Sequence, residues 1–224
     1  MSEQDNPRRE FLRKTLTLIP VVTVASTSLG GSVLMATANA DAQTASPAEG
    51  RTPAPGKAYE PTYFTAEEWA FVNAAVARLI PADEQGPGAL EAGVPEYIDR
   101  QMNTPYASGA LWFMQGPFNA DAPAEMGWQS KLVPNQIYRL GIAATDEHCK
   151  KVHGSVFAGL DSATRDEVLK QLEAGAPQFE SVPAKMFFSF LLQNTKEGFF
   201  CDPIHGGNKG MVGWTLIGFP GARA

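Results

Sequence analysis

Apolar residues recurring at helical spacing, with no convincing alternating run, constrain this 224-residue chain more than any other feature. Thr65-Ala66-Glu67-Glu68 is a capping box, in which the Thr65 hydroxyl accepts from a first-turn amide and Glu68 reaches back. Trp69, Val72, Val76 and Leu79 follow at helical spacing, and Pro81 stops the run. Asp83 to Gly88 is a loop by its Gly and Pro content, and Pro95 suits the first turn of a second helix carrying Ile98 and Met102. A third helix is predicted from about Pro134 into the Lys150 to His153 region, with Ile137, Leu140, Ala144 and Val152 inward. Asp161-Ser162 caps a fourth, with Val168, Leu169 and Leu172 inward and Gly175 just beyond its end. Ser181-Val182-Pro183 opens a fifth, where Met186, Phe187, Phe190 and Leu191 form a heavy apolar face and Gly198 is the expected stop. The fold class is therefore all-α: a single helical domain with long irregular connections.

Two stretches depart from this periodicity. Between Asn103 and Pro134 the chain is aromatic and rich in Gly and Pro, as in Trp112-Phe113-Met114-Gln115-Gly116-Pro117-Phe118 and Gly127-Trp128-Gln129. An ordered long loop of this kind in a compact domain is often functional. The tail runs Gly198-Phe199-Phe200-Cys201-Asp202-Pro203-Ile204-His205-Gly206-Gly207-Asn208, then Met211-Val212-Gly213-Trp214-Thr215-Leu216-Ile217-Gly218-Phe219-Pro220-Gly221. Six glycines and two prolines in these stretches argue against a regular helix. The tail is also too apolar for a disordered end. It reads as an arm wrapped on its own core, as a docking surface for a partner, or as both. Candidate interface residues are Phe199, Phe200, Cys201, Asp202, Pro203, His205, Gly206, Gly207, Trp214, Phe219 and Pro220.

The first forty residues read as a leader. Arg8-Arg9 is followed by Phe11-Leu12 and Lys14, then by a modest apolar run from Leu16 to Leu29, and Ala38-Asn39-Ala40 supplies a small-residue cleavage site. The adjacent arginines point to the twin-arginine route, which carries cargo that has already folded. The apolar run is broken by Pro20 and Gly30-Gly31 and falls short of the ~20 residues of a membrane span. The expected organisation is a signal over 1–40, a flexible Ala/Pro/Gly-rich arm over 41–60 and a helical domain over 61–224. Cleavage after Ala40 removes four of 18 basic and three of 24 acidic residues, leaving 184 residues with a net charge of about −7. An acidic domain without a Lys/Arg cluster is a poor nucleic-acid binder.

Motifs for chemistry are sparse. Cys149 and Cys201 pair with each other, stay free, or bridge to another chain; the count excludes a disulfide scaffold. No Cys-x-x-Cys-His attaches a c-type haem, and two cysteines cannot ligate a four-cysteine iron–sulfur cluster. Cys149 and His153 share a helix face at a spacing that binds metals, but two ligands do not make a site and His148 points elsewhere. There is no Gly-x-Ser-x-Gly or dinucleotide fingerprint, so neither a hydrolase nor a nicotinamide enzyme is indicated. His205 lies in a Gly-rich loop, where a contact role outweighs a role as catalytic base. An independent periplasmic metal- or ligand-binding module built on His148, Cys149, His153 or His205 is the alternative reading.

The tail signature Phe199-Phe200-x-Asp202-Pro203-Ile204-x-Gly206-Gly207-Asn208, with Met211-Val212-Gly213-Trp214 and Ile217-Gly218-Phe219-Pro220-Gly221, resembles the closing motif of the gluconate 2-dehydrogenase subunit 3 family. Phe71 to Ala82 and Ala92-Gly93-Val94-Pro95-Glu96-Tyr97-Ile98-Asp99 agree with it, so the resemblance covers about residues 62 to 221. Where many members carry Ala and Tyr, this chain has Cys201 and His205. The resemblance implies a small subunit without catalytic, cofactor or metal residues of its own. Its implied partners are a large FAD-containing subunit, with or without an iron–sulfur cluster, and a cytochrome subunit carrying haem c. Such complexes oxidise gluconate, 2-ketogluconate, fructose, sorbitol or glucose in the periplasm, peripheral to the inner membrane and attached to it only through partners. The resemblance and the leader together suggest that this chain accompanies the large subunit to the twin-arginine translocase. Within that picture Cys201 is a candidate for a disulfide to the large subunit.

Overall fold

The computed structural model describes residues 59–119 and 121–220. The leader and most of the arm expected over 41–60 lie outside the described residues. Among the described residues there are α-helices and short 3-10 turns, and the only strand-type pairing is an isolated bridge between Asp83 and Gly86. The helices are α1 (Ala66–Leu79), α2 (Val94–Gln101), α3 (Pro134–His153), α4 (Ser162–Ala174), α5 (Ala184–Phe200) and α6 (Val212–Ile217). None is long and apolar enough to cross a membrane.

The caps form where the side chains specify them. Thr65 Oγ1 accepts from the Glu68 amide at 3.3 Å, while the Thr65 amide donates to Glu68 Oε2 at 2.9 Å. Asp161 Oδ1 accepts from the amides of Ala163 and Thr164, and Gly175 closes α4 in a left-handed conformation. The fifth helix corrects its expected end: α5 runs through Gly198 to Phe200. Gly198 is there for packing, since a Cβ on it would sit 2.7 Å from Tyr97 Cδ1. The helix stops at Cys201 because Asp202, held extended before Pro203, cannot continue it.

Helix α5 is the centre of the domain and packs against all five other helices. Its Phe187 and Leu191 are fully buried with Phe71 of α1, Tyr138 of α3 and Phe157. Phe71 lies 4.6 Å from the Phe157 ring and 5.9 Å from Phe187. Helix α3 reaches this ring cluster through Gly141, where a Cβ would come within 2.2 Å of Phe187. Its inward face is Ile137, Tyr138, Gly141, Ile142, Thr145 and Cys149, with Leu140 and Ala144 half-buried beside it. Val152, expected inward, is 58% exposed, because the last turn of α3 overhangs the core and everything from Lys150 to Gly154 faces out. On α1, Phe71 carries the packing expected of Trp69 and Leu79, which are half-buried.

The connection from Asn103 to Val133 folds as successive turns around an aromatic stack. Trp112 lies 5.0 Å from Trp128, both rings rest against Phe190 of α5, and Tyr106 closes the stack at 5.9 Å. Hydrogen bonds from Trp128 Nε1 to the Leu132 carbonyl and from the Asn135 amide to the Ala107 carbonyl pin it to the start of α3.

Candidate functional site

Helix α2 ties both ends of the domain together, and this was not legible from its apolar spacing. Asp99 is fully buried on it. Its Oδ2 accepts from the Tyr59 hydroxyl at 2.7 Å, the Thr62 amide at 2.8 Å and the Thr62 hydroxyl at 2.9 Å. Its Oδ1 accepts from the amides of Tyr63 and Phe64, both at 3.0 Å. Burial alone raises the Asp99 carboxyl, but the donors from Thr62, Phe64, Tyr59 and Tyr63 outweigh it and hold the pKa below the ordinary carboxylate range. One turn earlier, Glu96 pairs with Arg100 of its own helix and with Lys209 of the tail. The two carboxylates of α2 therefore face opposite ends of the chain.

The tail is an arm rooted in the core by Asn208. Its side chain is fully buried and its backbone is left-handed, with φ 45°. The Asn208 amide donates to the Gly198 carbonyl at 2.9 Å, its Nδ2 to the Cys201 carbonyl at 2.8 Å, and its Oδ1 accepts from the Gly213 amide at 2.8 Å. Asn tolerates this conformation better than most residues, which gives Gly207-Asn208 a conformational reason beyond its resemblance value. The arm approaches α5 so closely that a Cβ at Gly207 would sit 2.1 Å from the Gly198 carbonyl oxygen, and one at Gly213 2.0 Å from that of Phe199. Trp214 Nε1 donates to the Phe200 carbonyl at 2.8 Å and its ring meets Phe219 edge-on at 5.2 Å. The tail is thus not one regular helix, but it does contain the short α6, which its glycine content obscured.

Beyond that root the arm is uncovered. Ile204 is 76% exposed, and Met211, Leu216, Ile217 and Phe219 are also exposed. Of the interface candidates, Phe199, Gly206 and Gly207 are buried in the chain itself and shape the arm. Phe200, Cys201, Pro203 and Trp214 are half-buried at its base, and Asp202, His205, Phe219 and Pro220 face out. Ile204, Met211 and Ile217, more exposed than most of those candidates, were missed because the apolar positions of an irregular segment carry no periodic signal.

A family model described as gluconate 2-dehydrogenase subunit 3 matches residues 66–221, from the first residue of α1 through the whole arm. The chain belongs to that family. Comparisons with curated proteins and with solved structures found no match. The match gives this subunit 3 chain its class, and the side chains show what its two most distinctive stretches do: Gly93 to Asp99 anchors both ends, and the tail forms the arm.

The remaining chemistry-bearing residues of this subunit 3 chain are dispersed. Cys149 and Cys201 are both free thiols. Burial, helped by the Asp146 charge, pushes the Cys149 thiol up to about 11, and burial also raises that of Cys201. His153 and His205 are exposed, whereas His148 rests edge-on against Phe179 with its Nε2 buried. Among the described residues, no group of three His, Cys, Asp or Glu is gathered as for a metal. The aromatic connection carries an open hollow of about 570 Å³ lined by Trp112, Phe113, Phe118 and Trp128. The Gln129 amide there is already engaged with the Asn119 amide and the Met126 carbonyl.

Proposed function

We propose that this chain is the small, non-catalytic subunit of a periplasmic FAD-dependent dehydrogenase of the gluconate 2-dehydrogenase type. It binds the large flavoprotein subunit through its C-terminal arm and takes it, folded around its flavin, to the twin-arginine translocase. Substrates of the class are gluconate and related sugars or sugar acids, including 2-ketogluconate, fructose, sorbitol and glucose. Substrate oxidation belongs to the large subunit, and a haem c cytochrome receives the electrons and provides the attachment to the inner membrane.

The observation that supports this reading most is the set of exposed apolar side chains on an arm whose root is locked into the core. Exposed apolar side chains grouped on an ordered element mark protein–protein contact sites. Because Asn208 already fixes the root, docking orders few further groups, so less of the contact energy is lost. Covering Ile204, Met211, Leu216, Ile217 and Phe219 supplies on the order of 5 kcal/mol before association costs.

The export half is tested by Arg8→Lys with Arg9→Lys in the full chain, expressed with the other subunits. Both this chain and the large subunit should then remain in the cytoplasm. A large subunit that still reaches the periplasm contradicts shared export. A bridge from Cys201 to the large subunit belongs to the same reading. Its signature is a large-plus-small band on non-reducing electrophoresis that disappears on reduction, and absence of that band removes the bridge without removing the complex.

A further inference from the structure

The segment entering the domain is bound to it with more hydrogen bonds than a linker needs. Residues 59–64 contain no helix or strand, yet they place three amides and two hydroxyls on the two oxygens of Asp99. A second set of contacts holds the same strap to α3. Arg139 Nη2 donates to the Tyr63 carbonyl at 3.0 Å, its guanidinium lies 4.3 Å from the Tyr63 ring centroid, and the Tyr63 hydroxyl donates to the Asn135 carbonyl at 2.8 Å. Tyr59 also packs 5.8 Å from Trp69 of α1, and the Arg100 guanidinium lies 5.8 Å from the Tyr59 ring centroid. All the acceptors and rings that receive the strap come from three different helices, and Asp99 is fully buried among them.

We infer that Asp99 is a latch: the strap 59–64 closes onto the domain only when α1, α2 and α3 have packed together, so the chain that follows the leader is secured by completed folding. The physical basis is that a carboxylate and three amides are expensive to bury unpaired. The strap amides can therefore leave water only against a helix interface that is already packed. In the unpacked chain Asp99 lies 35 to 40 positions from its donors, and nothing local holds them together. The latch stands on these contacts alone and is independent of which partner the arm binds.

Limited proteolysis of the full chain with a broad-specificity protease tests it, with the start of the resistant fragment read by mass spectrometry. The wild-type fragment should begin at or before Tyr59. In Asp99→Asn one acceptor oxygen becomes a donor facing other donors, and the fragment should begin beyond Phe64. Cleavage within the strap should be on the order of 100-fold faster, while sites in α4 and α5 are cut as in the wild type. Should Asp99→Asn fail to fold, Tyr59→Phe with Thr62→Ala removes both hydroxyl donors, keeps Asp99 and its amide partners, and should open the strap in the same sense. A strap that stays resistant in the variants that fold, or one that becomes sensitive only together with α4 and α5, overturns the latch.

Discussion

Replacing Asn208 probes whether the arm is part of the domain or merely lies on it. Asn208→Ala removes the side chain that pairs the Cys201 carbonyl and the Gly213 amide. Each group left unpaired in this buried site costs about 1.5 kcal/mol. Alanine at φ 45° adds about 1 kcal/mol that asparagine largely avoids. The arm should therefore open about 4 kcal/mol more easily, which is close to a thousandfold in the opening equilibrium. Asn208→Gly loses the same side-chain bonds without the left-handed penalty, so it should cost about 3 kcal/mol. Hydrogen exchange read by mass spectrometry on peptides covering 202–219, against peptides from α4, measures this directly. Less than tenfold acceleration in the arm of Asn208→Ala, or equal acceleration in α4, would refute the role given to Asn208.

Two further outcomes follow from the packing and charges. Gly141→Ala gains about 1 kcal/mol of helix propensity but drives a methyl into the Phe187 ring, and should destabilise the domain by about 2 kcal/mol net in denaturant unfolding. Asp99 has a depressed pKa in the folded state, so its contribution is complete above the ordinary carboxylate range and is lost as the pH falls through the folded value. The difference in melting temperature between wild type and Asp99→Asn should be flat above about pH 5 and should close as the pH falls below about 4.

The helices were legible because their signals are local. Thr65, Asp161 and Gly175 each act within one turn, and the apolar periodicities around Val72, Ile137 and Phe187 mark buried faces without knowledge of the partner helix. The misreadings occur where a distant residue decides. Gly198 has the composition of a stop signal, but the ring of Tyr97, a hundred positions earlier, is what requires a small residue there. Asp99 reads as one charge on an apolar face, since its donors lie upstream in irregular backbone. Within the arm, the motif was visible as a string, but which residues face inward depends on the Asn208 bonds to α5 and α6. That is why Phe199 is buried while Ile204, two residues beyond Asp202, is the most exposed apolar side chain of the arm.

The proposed docking role is tested most directly by the flavin that copurifies with this chain when the arm's outer face is changed. Ile217→Asp with Phe219→Asp alters two exposed side chains that make no hydrogen-bonded contribution to the root, so the helical circular dichroism of the small subunit should be unchanged. Tagged full-length chain carrying both changes, expressed with the other subunits, should purify without the large subunit and without flavin absorbance. Flavin recovered at the wild-type level with a correctly folded variant would contradict the assignment of the arm as the docking surface.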